Sequence, residues 1–203
     1  MNTPLQASFG NIDIYLFDQL LKGRFDNCEK VLDVGCGGGR NIVYFLKNDF
    51  DVFGIDMDAN AIESVRNMAR EMSPGSGSEN FVVAKAEDIP FGDATFDLVI
   101  CSAVLHFAKN KANFEEMLRS AWRVLKPGGF FFARLASNIG METLVKLSAN
   151  GRYLLPDGTT RYLVTHDALI HYTRDLKGEL YEPIKTTVVD NLRAMTTWCM
   201  TKK

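Results

Sequence analysis

A chain of 203 residues, 46% hydrophobic and 24% charged, has ordinary globular composition and is long enough for one domain with a sizeable core. A net charge of −2 gives it no global basic field, which disfavours nucleic acid and anionic membranes as partners, although a local basic patch stays open. Met1–Gly10 lacks a basic start followed by an apolar core, no apolar run approaches a membrane span, and Cys28, Cys36, Cys101 and Cys199 form neither a C-x-x-C pair nor a zinc-like group, so a cytoplasmic protein with reduced thiols, no metal and no membrane association is expected.

Helical spacing over Ile12–Leu21, ended by Gly23, makes residues 1–29 an N-terminal helical segment. Lys30–Val34 reads as a first strand, followed by a glycine-rich turn and a helix over Gly39–Lys47. Val52–Ile55 is a second strand ending at Asp56, and Ala59–Glu71 a helix closed by the linker-like Ser73-Pro74-Gly75-Ser76-Gly77-Ser78. Phe81–Ala84 and the almost wholly apolar Phe96–Cys101 are strands three and four. Asn113–Leu125 is a helix stopped at Lys126-Pro127-Gly128-Gly129, ahead of strand five, Phe130–Ala136. Thr165 caps a helix over His166–Leu176, which makes His166 and His171 structural. Tyr181–Asp190 and Arg193–Met200 are two strands joined too closely for a crossover, and are therefore antiparallel. The earlier alternation of strand and helix means a parallel sheet with right-handed crossovers.

The chemistry concentrates in Val31-Leu32-Asp33-Val34-Gly35-Cys36-Gly37-Gly38-Gly39-Arg40-Asn41. Glycines at 35, 37, 38 and 39 let a ligand approach the main chain, and the start of the next helix would offer free N–H groups to a carboxylate or phosphate. The loop fails the dinucleotide pattern G-x-G-x-x-G, because its third glycine position holds Arg40 counted from Gly35 and Ile42 counted from Gly37. Asp33 would repel a pyrophosphate and suits a cationic group such as an amino-acid ammonium. Asp56, 21 residues after Gly35, stands where an acid accepts from both ribose hydroxyls; alternatively it caps the next helix.

Together these residues resemble motif I of the class I S-adenosylmethionine-dependent methyltransferases, and the chain is similar to their small-molecule subgroup (type 11/25-like) from Lys30 to its end. The resemblance implies a Rossmann-like α/β/α sandwich with a seven-stranded, mostly parallel sheet and one antiparallel strand near the edge. It also implies S-adenosylmethionine as cofactor, held by Asp33, Gly35, Cys36, Gly37 and Asp56, with Met57 packing on the adenine. Ala86-Glu87-Asp88-Ile89-Pro90-Phe91 resembles the family's D-A-x-x-L-P-F stretch, with Lys85 replacing its usual acid. The adenine acceptor then falls to Glu87 or Asp88, Asp88 being preferred, or to the main chain. Cys101 and Ser102 correspond to positions whose carbonyls receive the methionine ammonium. His106 is read as a general base or substrate donor, against the favoured alternative of a packing residue. Trp122–Gly129 matches the structural R-V-L-K-P-G-G stretch.

Residues 137–164 form an unusually long connection, read as an insertion or lid with a helix over Met141–Leu147 and a hairpin, Tyr153–Leu155 and Thr160–Leu163, about Pro156-Asp157-Gly158. Tyr15, Arg134, Arg152, Tyr153 and Arg161 are the candidate substrate contacts, and three arginines would suit an anionic acceptor unless they are surface snorkelers. The expectation is methyl transfer to a small molecule. The alternatives are a non-catalytic S-adenosylmethionine or S-adenosylhomocysteine binder and an NAD-dependent oxidoreductase, the latter disfavoured by Asp33 and Arg40. Acceptor and oligomeric state are not legible.

Overall fold

The computed structural model describes residues 4–73 and 77–203; Pro74–Ser76, within the linker expected after the helix Ala59–Glu71, lie outside the described residues. In chain order the elements are α1 (Pro4–Phe9), α2 (Ile14–Leu21), β1 (Lys30–Val34), α3 (Val43–Lys47), β2 (Asp51–Asp56), α4 (Ala59–Met72), β3 (Phe81–Val83), β4 (Phe96–Ser102), α5 (Lys111–Val124) and β5 (Leu125–Ser137). The short strands β6 (Lys146–Leu147), β7 (Tyr153–Leu154) and β8 (Thr160–Arg161) follow, then α6 (His166–Asp175), β9 (Gly178–Leu180), β10 (Lys185–Val189) and β11 (Arg193–Lys202).

The main sheet runs β10-β11-β5-β4-β1-β2-β3, with β9 also pairing β11. The pairs β5–β4, β4–β1, β1–β2 and β2–β3 are parallel, and β11 is antiparallel to β5, β10 and β9. One reversed strand therefore sits next to an edge of a Rossmann-like sheet. Period-two side chains split the core in two. Leu32 and Val34 join Phe114, Leu118, Leu169 and Trp198 on one face; Val31 joins Leu16, Phe45, Ile62 and Val65 on the other. Three layers result, with α5 and α6 on one side and α2, α3 and α4 on the other. No described helix is long and apolar enough to cross a membrane.

Several elements depart from the sequence expectation. The helix after the glycine loop begins at Val43, four residues late, because Gly39 is left-handed (φ +81°) and the Asn41 side chain is taken by the Asp13 N–H at 3.0 Å. A five-residue helix offers little macrodipole, so loop amides replace its N-terminus as the polar lining. Lys126–Gly129 forms no turn outside the sheet: β5 pairs at Leu125 and, after a bulge, again from Phe130. Over 141–147 a single turn (Leu144 N–H to Met141 O, 2.9 Å; Val145 N–H to Met141 O, 3.2 Å) gives way to β6, because Lys146 and Leu147 find ladder partners in Leu154 and Tyr153. The hairpin about Pro156–Gly158 forms at β7 and β8. At the C-terminus, β10 starts at Lys185 rather than Tyr181, and β9 is an unforeseen strand. The ten-residue β11 is long enough to pair β9 at Met200–Lys202 and β10 at Arg193–Thr197 along its length.

Candidate functional site: two adjoining cavities at the carboxyl edge of the sheet

The carboxyl ends of β1, β2 and β4 meet where ligands of open α/β sheets collect. Gly35, immediately after β1, is left-handed (φ +68°), and a Cβ there would lie 2.5 Å from Val104 Cγ2, so the close approach of the two loops requires glycine. Gly37 and Gly38 have open space where a Cβ would stand. Both oxygens of Asp56 are held by main chain: the Gly37 N–H donates to Oδ2 and the Asp58 N–H to Oδ1, each at 2.9 Å. That pairing locks the carboxylate at the end of β2 and leaves its remaining lone pairs available. Asp33 is buried beneath the loop, and its Oδ2 has no hydrogen-bond partner among the described residues. Burial pushes its carboxyl up to about 7, with Asp56 adding and Arg40 opposing.

These elements wall a cavity of about 410 Å³. Of the expected cofactor residues, Gly35, Asp56, Met57, Ala86 and Glu87 line it. Asp33, Cys36, Gly37, Asp88, Cys101 and Ser102 do not. Asp88 is exposed, and its N–H closes a turn onto Lys85 O at 3.0 Å, so Glu87 is the acid at the wall. The Cys36 and Cys101 thiols are buried, and burial raises both. The Cys36 N–H caps β2 at Ile55 O, 2.9 Å away. The Ser102 hydroxyl joins a network instead, accepting from Arg40 Nη2 and donating to Asp13 Oδ2, each at 3.3 Å. Lys85, Ala103, Val104, Phe107, Lys109 and Met117 complete much of the wall. Of these, Ala103 could not have been read from a pattern: it is a left-handed alanine (φ +64°) whose N–H is tied to Arg134 O at 2.7 Å.

Ala103 also lines a second cavity, of about 270 Å³, with His106, Arg134, Leu155, Asp157, Arg161 and Arg193. Of the expected substrate contacts, Arg134 and Arg161 lie here; Tyr15, Arg152 and Tyr153 do not line it. Tyr15 stacks under the Arg134 guanidinium (5.0 Å from Cζ to the ring centroid) and its hydroxyl meets Thr187. Arg152 binds Thr160 O inside the hairpin, and Tyr153 packs beside Leu155 and Leu163. Asp157, Arg193 and the buried Asp13 were not foreseen. Asp13 does carry a legible sign, since it caps α2 through the Tyr15 N–H at 3.0 Å. Its Oδ2 also takes Arg134 Nη1 at 3.0 Å, so one carboxylate ties α2 to β5.

His106 is buried, and its Nδ1 accepts the Ala136 N–H at 3.1 Å. Burial first, then Arg161 and Arg134, push the imidazole down to about 4. A neutral ring whose Nδ1 accepts a hydrogen bond carries its proton on Nε2. It is therefore a donor at neutral pH and has no free lone pair with which to act as a general base. His166 and His171 are both exposed on α6, away from both cavities.

Comparison with known proteins agrees with this geometry. The family profile described as "Methyltransferase domain" matches residues 32–133, half of the chain. An uncharacterised methyltransferase of Synechocystis is 36% identical over 103 residues, 51% of this chain and 45% of the relative. A ubiquinone biosynthesis O-methyltransferase of Aliivibrio fischeri is 30% identical over 173 residues, 78% of this chain and 70% of the relative. This chain thus spans less than half of the first relative and about seven-tenths of the second. Among solved structures, an S-adenosylmethionine-dependent methyltransferase of Methanosarcina mazei superposes with a TM-score of 0.71 at 20% identity, over 90% of this chain and 96% of that one, a likeness of fold. With the profile spanning the glycine loop, Asp56 and β4, the chain belongs to the methyltransferase-domain family, in the class I group that uses S-adenosylmethionine.

Proposed function

We propose that this chain methylates a small-molecule acceptor seated in the smaller cavity, with the donor held in the larger. When bound, S-adenosylmethionine supplies an electrophilic methyl group on a sulfonium, and the protein contributes chiefly by aligning the partners. The residues suit such a group: an orphaned buried acid for an ammonium, open glycine backbone, and a rigidly oriented carboxylate for a diol. In this reading Asp33 and the main chain of Gly35, Cys36 and Gly37 hold the amino-acid end and Asp56 the ribose. Met57 and Ala86 meet the adenine, and Glu87, rather than Asp88, accepts from its amino group. Cys101 and Ser102 serve through the main chain that carries Ala103. His106 donates to the acceptor through Nε2 and does not take its proton.

The observation that carries this reading is the shared wall at Ala103, which sets an acceptor-sized space beside the donor space. A cavity of about 270 Å³ suits a small molecule and is far too small for a nucleic-acid strand. Residues 137–164 serve as its outer wall, and the chain works as one methyltransferase domain. Four buried free thiols fit a reducing, cytoplasmic setting. Titration calorimetry tests the donor assignment: S-adenosylhomocysteine binds and NAD does not, and the reverse result overturns it. Mass spectrometry of an acceptor panel after incubation with S-adenosylmethionine tests turnover. Binding without any methylated product would make the protein a non-catalytic binder.

A further inference from the structure

The charges around the smaller cavity are unequal in a way that selects a ligand. Arg134 is bound by Asp13, with Nη1 to Oδ2 at 3.0 Å, and Arg40 Nη2 stands 3.8 Å from the same oxygen. Arg193 faces Asp157, with Nη1 to Oδ2 at 4.0 Å, and hydrogen bonds from Thr159 hold that carboxylate in its charged form. Arg161 has no carboxylate within ion-pair distance among the described residues, and Asp157 feels its charge less than that of Arg193. Its guanidinium is held over the Phe107 ring, 4.8 Å from the centroid, and its Nη1 donates to Thr160 O at 2.9 Å. The next residue fixes the hairpin to the far wall, because the Tyr162 N–H donates to His106 O at 3.0 Å. One guanidinium free of any contact ion pair and one neutral N–H donor thus share a rigid frame, facing the apolar Leu155 and Met195. This matches a single negative charge spread over two oxygens, attached to a small apolar body.

We propose that the acceptor is a small monocarboxylic acid whose carboxylate sits between the Arg161 guanidinium and the His106 Nε2–H. The proposal rests on reading the smaller cavity as the acceptor side. At about 270 Å³ the space falls just below the usual range of ligand pockets, about 300–1,000 Å³, which restricts the acceptor to a small molecule.

Saturation-transfer NMR on the full chain, with and without S-adenosylhomocysteine, tests this with a panel of aromatic and short aliphatic monocarboxylates, their primary amides, and phenyl phosphate. Carboxylates should give signal and the matched amides should not. Arg161→Gln should weaken carboxylate binding at least tenfold, Arg161→Lys should retain part of it, and Arg119→Gln, on the outer face of α5, should leave it unchanged. Amides binding as well as acids, carboxylate binding that survives Arg161→Gln, or phenyl phosphate outcompeting every acid would each overturn the proposal. Failure of S-adenosylhomocysteine to bind, read separately by calorimetry, would instead strike the donor reading, and the carboxylate signal on the ligand-free protein would still decide the charge preference.

Discussion

Asp56 is fixed by two main-chain donors before any ligand arrives, and this rigidity matters more than its charge alone. A flexible carboxylate would lose side-chain entropy on binding a diol, whereas this one is already placed. Replacing it with alanine removes the proposed ribose contact and also frees the Gly37 N–H. Hydrogen bonds to a charged group contribute about 1.5–3 kcal/mol each, so Asp56→Ala should weaken S-adenosylhomocysteine by a few kcal/mol in calorimetry. Unchanged affinity would remove the ribose assignment. Gly35→Ala acts differently. It sets a methyl against Val104 in a left-handed position, and should cost about 1–3 kcal/mol of stability in urea unfolding besides narrowing the larger cavity. Asp56 was legible because an acid at the end of the second strand, counted from the glycine loop, needs only local spacing. That Glu87 rather than Asp88 stands at the cavity wall was not, because adjacent acids in one turn differ only in the direction that the turn imposes.

Elements are joined at the site by polar contacts rather than by apolar packing alone. Asp13 caps α2, donates its main-chain N–H to Asn41, and accepts from Ser102 and Arg134, so α2 is fastened to the glycine loop, β4 and β5 at one buried acid. Its removal leaves several donors unpaired, each costing about 1–3 kcal/mol when buried. Asp13→Ala should therefore lower stability by at least about 2 kcal/mol and make residues 4–22 more sensitive to limited proteolysis. Unaltered proteolysis there would mean that apolar contacts such as Leu16 suffice to hold the segment. The β7–β8 hairpin is fastened in a similar way, through Tyr162 to His106. Its turn was readable from Pro156-Asp157-Gly158. The helix expected beside it was not formed, because a two-residue ladder with β7 satisfied the backbone of Lys146 and Leu147 more fully than one more helical turn.

Over the whole molecule, two buried titrating groups oppose each other in their effect on stability. Asp33 has its carboxyl pushed up to about 7, so the folded chain binds more protons than the unfolded one between about 4 and 7, and stability falls as pH rises through that window. His106 is pushed down from 6.5 to about 4, so the unfolded chain binds more protons there and stability rises with pH up to 6.5. Each slope approaches about 1.4 kcal/mol per pH unit, and the two nearly cancel between pH 5 and 6.5. Urea midpoints over that range should rise with pH in Asp33→Asn and fall with pH in His106→Gln. Slopes of the same sign in both variants would show that one of the two groups titrates normally.

Local spacing was enough to lay out β1 through β5, to end β2 on Asp56 and to put an acid ahead of a side-chain-free loop, because those features depend on periodicity and turn chemistry within short windows. The reversed β11 was also readable, since a short connection forbids a crossover. The composition of the smaller cavity depended on long-range pairing. Arg134 comes from β5, Arg161 from a hairpin and Arg193 from the start of the last strand, and only the register of β11 against β5, with the docking of Tyr162 on His106, brings them around one space. The state of His106 depended on the same closure, because a main-chain N–H thirty residues away fixes which nitrogen carries the proton.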